Sequence, residues 1–312
     1  MSGTGKMRGR ATMIMLSGIA AICMFAGGCA MLDVATQVGS AVGVATGAIT
    51  PDQAESLQKT GGAVSKALER FTPENEYYIG RAVTATILAD YRVLANAALN
   101  EYLNLVGQTL AAFSDKPETF AGYHFAAADS DEINAFAAPG GFVVVTKGLL
   151  RCCRNEDALA AVLAHEVAHI QLEHGIQAIK KSRTTTAFAV LGAEAVKNFG
   201  GQELADLTEA FEGSISDIVS TLVNSGYSRK QEYEADRTAV VILKQAGYNP
   251  NGLREMLEEM AKRLPPEGHG FARTHPPPEL RIKEIAPLLS DAPPMASHPG
   301  RQSRFSKAMA GI

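Results

Sequence analysis

The sequence predicts an α+β fold that is predominantly helical and has one small antiparallel β-sheet. Helical periodicity and helix-capping residues recur through most of the segment from residue 72 to residue 289. The exception is the segment from residue 123 to residue 146, where short apolar runs alternate with turn residues. The 312 residues are 46% hydrophobic, so the chain can form a substantial core.

The charge balance argues against nucleic acid as a partner. The formal net charge is -4, and residues 1–28 contain three basic residues and no acidic ones. Without that segment, 26 basic residues face 33 acidic residues, a balance of -7. Proteins that bind nucleic acid need a basic face, and this composition does not favour one.

Residues 1–28 resemble the signal peptide of a bacterial lipoprotein. A basic start is followed by an uncharged apolar run over residues 11–25 and by Ala-Gly-Gly immediately before Cys29. Because small residues before a cysteine resemble a lipobox, Cys29 is predicted to be the lipidated first residue of the mature chain. By the same resemblance, Ala30 favours delivery to the outer membrane. An uncleaved anchor over residues 11–32 is the alternative, because those 22 residues carry no charge.

Residues 29–71 are predicted to form the lipidated N-terminus and a tether rich in small residues. No charged residue occurs between Val34 and Pro51, and Gly39, Gly43 and Gly47 recur at four-residue intervals. On a helix these glycines would form one smooth stripe, against which another helix or a bilayer surface could pack. A flexible tether is the alternative.

The predicted domain extends from residue 72 to residue 289. Thr72 can cap a helix whose first residue is Pro73, and this helix is expected to run to about Asp90. A second helix is expected to end near Phe113. The predicted strands of the antiparallel sheet comprise Tyr123–Ala127, Ile133–Ala137 and Phe142–Thr146.

More helices are predicted after the sheet. Asn155 can cap the first of them, and Gly175 is expected to end it. Its run over residues 158–164 is apolar on all sides, which is typical of a helix at the centre of a domain. The later predicted helices comprise Ile176–Asn198, Glu203–Val223, Ser228–Gly247, Asn249–Leu264 and Pro278–Leu289. Residues 290–312 are predicted to be a disordered tail.

The vicinal cysteines Cys152 and Cys153 are predicted to be buried thiols. Adjacent cysteines rarely bridge each other without strain, so a strained disulfide is the less favoured alternative. No spacing typical of a zinc ribbon is present.

The stretch His165-Glu166-Val167-Ala168-His169 carries the clearest chemical signal. Two histidines four residues apart lie on one face of a helix and suit a single tetrahedral metal ion. Glu166 lies beside this chelating face and is a candidate general base. Because such a pentapeptide also arises by chance, the motif needs a third ligand to predict a catalytic zinc site.

Glu232 is the predicted third ligand. His174 is closer in sequence, but five residues rotate a helix by about 500 degrees from His169, so a solvated His174 is expected. The metzincin pattern is excluded because this chain has Leu172 and Gly175 where that class has glycine and histidine.

Asp236 lies one helical turn after Glu232. It is predicted to accept the free ring N–H of a ligating histidine. Glu234 points away from this face and is expected to be a surface charge. The alternative for Glu232 and Asp236 is a self-repelling acidic pair on a solvated helix, and a cation would relieve that repulsion.

Several motifs occur in an order that resembles a known family, the HExxH zinc metallopeptidases that include the CAAX prenyl proteases, HtpX, BepA and LoiP. The matching segments are Asn134–Gly141, Gly148–Leu150, His165–His169, Ser228–Arg229, Glu232–Asp236 and Thr274–Pro276. The ordered set is more specific than any one motif. The lipoprotein signal favours the periplasmic lipoprotein members.

The resemblance implies a gluzincin-like metallopeptidase domain with one Zn²⁺ per chain. His165, His169 and Glu232 would bind zinc, and Glu166 would be the catalytic acid and base. The implied function is cleavage of misfolded or misassembled envelope proteins at the periplasmic face of the outer membrane, with the β-barrel assembly machinery as a candidate partner. A chaperone-like outer-membrane assembly factor with a structural zinc site is the alternative.

Other residues near the motifs are candidates for supporting roles. A developing oxyanion needs a donor besides zinc, and the candidates are Arg229, Tyr227, Tyr233 and His275. His275 is also a candidate gate that occupies the open zinc position, and a merely packed loop histidine is the alternative. The strand Phe142–Thr146 is either a pairing site for an extended substrate or an ordinary buried strand.

Overall fold

The computed structural model describes residues 29–68, 71–182, 218–264, 274–289 and 298–312. The chain divides into two compact units, one of residues 1–70 and 180–214 and the other of residues 71–179 and 215–312. The predicted signal peptide and most of the two helices predicted between residues 176 and 223 lie outside the described residues. Among the helices that are described, none has the length and apolar character needed to cross a membrane.

The described part of the first unit is mainly a pair of helices, α1 (Cys29–Ala45) and α2 (Pro51–Leu68). Gln58 on α2 donates a hydrogen bond of 2.7 Å to the buried hydroxyl of Ser40 on α1. Gly47 lies beyond the end of α1 with φ of +65°. The segment is therefore a helical hairpin rather than a flexible tether, and Gly47 is not part of a helical stripe.

The second unit contains the remaining described elements. Its α-helices are α3 (Pro73–Asp90), α4 (Ala97–Ala112), α5 (Lys147–Leu150), α6 (Glu156–Gln171), α7 (Arg229–Gln245), α8 (Asn251–Arg263), α9 (Pro278–Leu289) and α10 (Pro299–Ala308). Residues 174–179 are also helical, and Thr221–Ser225 forms a π-helical turn before α7.

The capping residues in the sequence predicted several helix ends correctly. Thr72 caps α3 by accepting a hydrogen bond from the backbone N–H of Asn75. Ser228 forms a capping box at the start of α7, and Gly247 follows its end with φ of +74°. The bounds of α9 agree with the predicted helix.

The sheet is mixed rather than antiparallel, and this corrects the prediction. Its strands are β1 (His124–Ala128), β2 (Ala135–Ala138) and β3 (Phe142–Thr146), in the order β1-β3-β2. β2 pairs antiparallel with β3, but β1 pairs parallel with β3. No short turn joins β1 to β3, so the sequence carried no signal for their parallel pairing. The central strand is β3, and β2 lies at an edge.

The motif helix α6 lies at the centre of the second unit. Residues 156–170 are all buried, and α6 packs against α4, α7 and α8. Asn155 caps it as predicted, but the helix ends at Gln171 and not at Gly175. Glu173 has φ of +55°, an unusual conformation for this residue type, and it redirects the chain before the next helical residues. This turn decides where His174 lies.

The C-terminal residues 298–312 are folded, which corrects the predicted disordered tail. α10 packs on the core through the buried Phe305, and Arg304 forms an ion pair with Glu156 at the start of α6. Because these partners are about 150 positions apart in the chain, no local pattern could reveal the contact. The predicted tail residues 290–297 lie outside the described residues.

The two adjacent cysteines are buried free thiols. Burial raises the pKa of the Cys152 thiol to about 11. The thiol form therefore dominates at neutral pH, and the residue packs as a small apolar side chain.

Candidate metal centre

The two histidines of the motif face each other on α6. His165 Nε2 and His169 Nε2 are 3.1 Å apart, and both side chains are buried. The two histidines therefore share one face of the helix, as their four-residue spacing predicted. Both ring nitrogens face the same buried space.

Glu232 reaches the same space from α7. Its Oε2 lies 3.6 Å from His165 Nε2, and its Oε1 lies 3.5 Å from His169 Nε2. The side chain is fully buried, and Oε1 has no hydrogen-bond partner. An orphaned carboxylate oxygen in the interior is costly unless a cation or donor satisfies it.

The separations between these atoms suit a zinc ion. Tetrahedral ligands at about 2.0–2.1 Å from zinc are about 3.3–3.4 Å from one another. The three separations lie between 3.1 and 3.6 Å, and those from His165 and His169 reach different oxygens of Glu232. The ligand atoms of His165, Glu232 and His275 also lie within 4.8 Å of one another. His275 is therefore a fourth group beside the three predicted ligands.

The charge of the centre also favours a divalent cation. Glu166, Glu232 and Asp236 are buried acids, whereas Arg281 is the buried guanidinium among them. Burial raises the pKa of Glu232, but the neighbouring imidazoles of His275 and His165 outweigh it and hold this pKa well below its usual value. With a metal bound, the histidines would be neutral and the three acids ionised, so that together with Arg281 the protein groups would carry a net charge of minus two.

Asp236 holds His165 from the side opposite the ligands. Its Oδ1 lies 3.0 Å from His165 Nδ1, so it can accept the ring N–H and leave Nε2 free for a metal. Burial and Arg281 both lower the pKa of His165, but hydrogen bonds to Asp236 and Glu232 raise it to about 9. The histidine is therefore held strongly by its two carboxylate neighbours.

Arg281 on α9 completes this arrangement and was not predicted from the sequence. It donates two hydrogen bonds to Asp236, of 2.9 Å from Nε and 2.6 Å from Nη2, and is fully buried. Burial raises the pKa of Asp236, but Arg281 outweighs it and lowers that pKa to about 2. The sequence carried no signal for this contact, because Asp236 lies 45 positions earlier on another helix.

Glu166 lies in a small cleft beside the ligands. Burial raises the pKa of its carboxyl to about 7, against the lowering effect of His165. A carboxyl group with a pKa near neutrality can both accept and return a proton. The cleft is also lined by Ala135, Ala137, His169, Leu222, Gly226, Tyr227, Thr274 and His275.

The candidate oxyanion donors lie at different distances from this cleft. The Tyr227 ring stacks on His169 with centroids 4.4 Å apart, and its buried hydroxyl has no hydrogen-bond partner. Arg229 is exposed at the start of α7, whereas Tyr233 is half-buried one turn further along. Tyr227 is therefore better placed than Arg229 to face a bound substrate.

His275 is held against the site. Its Nδ1 lies 2.6 Å from Glu232 Oε2. Gly226 has φ of +69°, and a Cβ atom there would lie 1.7 Å from the carbonyl oxygen of Thr274. Only glycine allows this close approach, which brings the His275 loop beside Tyr227.

His174 is buried rather than solvated, which corrects the prediction. Its Nδ1 lies 2.8 Å from His169 Nδ1, and its Nε2 lies 3.7 Å from Glu234 Oε2. Glu234 is half-buried and faces this histidine instead of being a purely surface charge. The prediction assumed that α6 continues through His174, but the helix ends at Gln171 and the chain turns at Glu173.

The strand beside the cleft is β2, not β3. Ala135 and Ala137 of β2 line the cleft, whereas β3 is covered by strands on both sides. A central strand cannot pair with another chain. The expectation that residues 142–146 bind an extended substrate is therefore wrong, whereas β2, whose residues are all buried, lies at an edge of the sheet.

Comparison with known proteins identifies related chains. The profile of peptidase family M48 matches residues 97–288. The beta-barrel assembly-enhancing protease of Escherichia coli is 27% identical over 266 residues, covering 82% of this chain and 52% of that protein. The mitochondrial metalloendopeptidase OMA1 of Schizosaccharomyces pombe is 36% identical over 165 residues, covering 51% of this chain and 44% of that protein.

A further relative is the metalloprotease LoiP of Escherichia coli. It is 30% identical over 159 residues, which cover 51% of this chain and 60% of that protein. The chain thus spans about half the length of the beta-barrel assembly-enhancing protease.

Proposed function

The chain belongs to peptidase family M48, and from this premise we propose that it is a zinc-dependent endopeptidase that cleaves misfolded or misassembled envelope proteins in the periplasm. The observation that carries the proposal is the convergence of His165, His169 and Glu232 beside Glu166. This donor set is that of a catalytic zinc site. Glu166 supplies the acid and base that hydrolysis needs.

The proposed chemistry divides between the ion and the protein. When bound, zinc acidifies water and polarises the carbonyl group of a peptide. Glu166 accepts a proton as water attacks the peptide carbon and returns a proton to the leaving amine. Its raised pKa of about 7 suits both steps, because neither protonation state is strongly disfavoured.

Tyr227 is the proposed donor to the oxyanion that forms during this attack. Tyr227 lines the cleft that contains Glu166, and its hydroxyl is buried without a partner. Burial raises its pKa above the usual value, so the hydroxyl keeps its proton as a donor must.

The proposed substrates are extended, unfolded segments of envelope proteins. An exposed strand edge binds a peptide through main-chain hydrogen bonds, which place weak demands on sequence. The edge strand β2 contributes Ala135 and Ala137 to the cleft. These small side chains leave room for a peptide backbone to approach.

The proposed location is the periplasmic face of the outer membrane. Cys29 would carry the lipid anchor, since small residues precede it after an uncharged apolar run. The name of one relative, a beta-barrel assembly-enhancing protease, links that protein to envelope assembly. We extend this link to the present chain and propose contact with the β-barrel assembly machinery.

The alternative function is a chaperone-like outer-membrane assembly factor whose zinc site is mainly structural. The approach of His275 favours this candidate, because a fourth protein ligand would close the site. The same approach fits a gate that opens when substrate binds. Glu166 discriminates between the two functions, since a structural site needs no general base.

The test is Glu166→Gln in the full chain. We expect cleavage of an unfolded substrate such as casein to fall by about 10²–10⁴-fold, because the general base is lost, while bound zinc measured by atomic absorption stays stoichiometric. Glu279→Gln, an exposed change on α9, is the matched control and should retain activity. Full cleavage by Glu166→Gln would overturn the mechanism. Envelope proteins retained by the inactive variant would identify the substrates.

A further inference from the structure

His174 is buried, and its side-chain contacts have no part in the proposed chemistry. It is fully buried, although it directly follows the turn that ends α6. Glu173 adopts φ of +55° to make that turn, a conformation that is uncommon for residues other than glycine. The chain thus adopts an unusual backbone conformation that places this imidazole in the interior.

The contact between His174 and His169 defines a hydrogen bond. Their Nδ1 atoms are 2.8 Å apart, which requires one proton between them, because two lone pairs or two protons would repel at that distance. If His169 binds a metal through Nε2, its single proton must be on Nδ1. His169 is then the donor, and His174 Nδ1 is the acceptor.

We propose that His174 is a positioning residue for the metal centre, whose Nδ1 lone pair accepts the Nδ1–H of His169 and so directs His169 Nε2 at the metal. The inference rests on the zinc site of the proposed function. It assigns a proton to each ring of the pair: His169 carries its proton on Nδ1, and His174 carries its proton on Nε2. The His174 Nε2–H faces Glu234 Oε2 at 3.7 Å.

The two histidine ligands are thereby oriented by different acceptors. Asp236, a carboxylate held by Arg281, accepts from His165. His174, an imidazole, accepts from His169. Removing an acceptor of this kind typically weakens metal binding about 10–100-fold, because the ligand loses its tautomer and orientation.

The ring of Tyr227 packs against both histidines of the pair. It stacks on His169 at 4.4 Å and is tilted against His174 at 5.5 Å between centroids. A ring stacked on an imidazole covers its face and leaves the in-plane Nδ1–H to an acceptor at the ring edge, which here is His174 Nδ1.

The first measurement is a two-bond ¹H–¹⁵N spectrum of the zinc-loaded full chain with ¹⁵N-labelled histidine. We expect His169 to be protonated at Nδ1 and His174 to be protonated at Nε2. A His174 ring protonated at Nδ1 would be a donor to His169 and would overturn the proposal. This spectrum needs no variant, so it decides the question even if substitution at residue 174 prevents folding.

The second measurement compares His174→Phe with His174→Asn. Phenylalanine fills the space but has no acceptor, whereas the asparagine Oδ1 can replace Nδ1. We expect zinc affinity, measured by competition with a chelator, to fall about 10–100-fold in His174→Phe and to be largely restored in His174→Asn. The exposed His124→Asn is the matched control and should bind zinc as the wild type does.

The outcomes separate this inference from the proposed function. Wild-type zinc affinity in His174→Phe would overturn the positioning role, even if the protein cleaves its substrates. Equal loss in both variants, with apo proteins that unfold at the wild-type temperature, would also overturn it, because rescue by an acceptor would have failed. A wild-type chain that binds no zinc would instead overturn the proposed function.

Discussion

Buried acids lie at both ends of α6, but only at one end do protein groups supply all of their hydrogen-bond partners. At the N-terminal end, Glu156 accepts hydrogen bonds of 2.9 Å from Tyr102 and 3.1 Å from Tyr248 and forms an ion pair with Arg304. At the C-terminal end, Glu232 Oε1 has no hydrogen-bond partner. The N-terminal network is complete, whereas the C-terminal one leaves a carboxylate oxygen without a partner.

This difference separates a structural network from a binding site. A buried carboxylate with donors on both oxygens needs nothing further, and it stabilises the surrounding helices. A buried cluster with more acids than bases takes up another cation or a proton. We therefore expect changes at Glu156 to affect folding and changes at Glu232 to affect metal binding.

The largest expected effect is at the N-terminal end. Glu156→Ala should lower the free energy of unfolding by about 3 kcal/mol, because two buried tyrosine hydroxyls lose an ionised acceptor. Urea denaturation measures this loss, and Glu101→Ala, an exposed change on α4, should lose little. The folded variant should bind zinc normally. If Glu156→Ala instead weakened zinc binding without loss of stability, the two ends would not be independent.

The next effect is at the C-terminal end and concerns metal removal. Zinc at 100 times its dissociation constant should stabilise the wild type by about 2.7 kcal/mol, and a chelator should remove that gain. Glu232→Gln should show no such gain at the same zinc concentration, because a ligand is missing. Glu258→Gln, an exposed change on α8, should keep it. Thermal unfolding with and without chelator measures both, and an unchanged gain in Glu232→Gln would exclude it as a ligand.

The smallest expected effect concerns His275, the group that approaches the ligands most closely from outside α6 and α7. If it gates the metal, His275→Ala should raise the basal rate of casein cleavage a few fold, because its contact of 2.6 Å with Glu232 is lost. His298→Ala, a change in the cap of α10, is the control. An unchanged or lower rate would argue against gating.

Much of the fold could be predicted because helix ends are local events. The caps at Thr72, Asn155 and Ser228 each use a side chain and a backbone N–H three residues apart. The family inferred from the ordered motifs is confirmed by the match to peptidase family M48, and so is the predominantly helical α+β class. The predicted antiparallel pairing was wrong for β1 and β3, because a parallel pair has no short turn to indicate it.

The candidate site was predictable only where its residues share a helix. The four-residue spacing of His165 and His169 determined their common face, and the one-turn spacing of Glu232 and Asp236 determined theirs. Tertiary structure alone decided that these faces meet, that Arg281 holds Asp236 from α9, and that a turn at Glu173 buries His174. The physical reason is that helix periodicity depends on neighbours in the chain. A buried charge instead takes its partner from wherever packing brings one, here 45 residues away for Asp236 and Arg281.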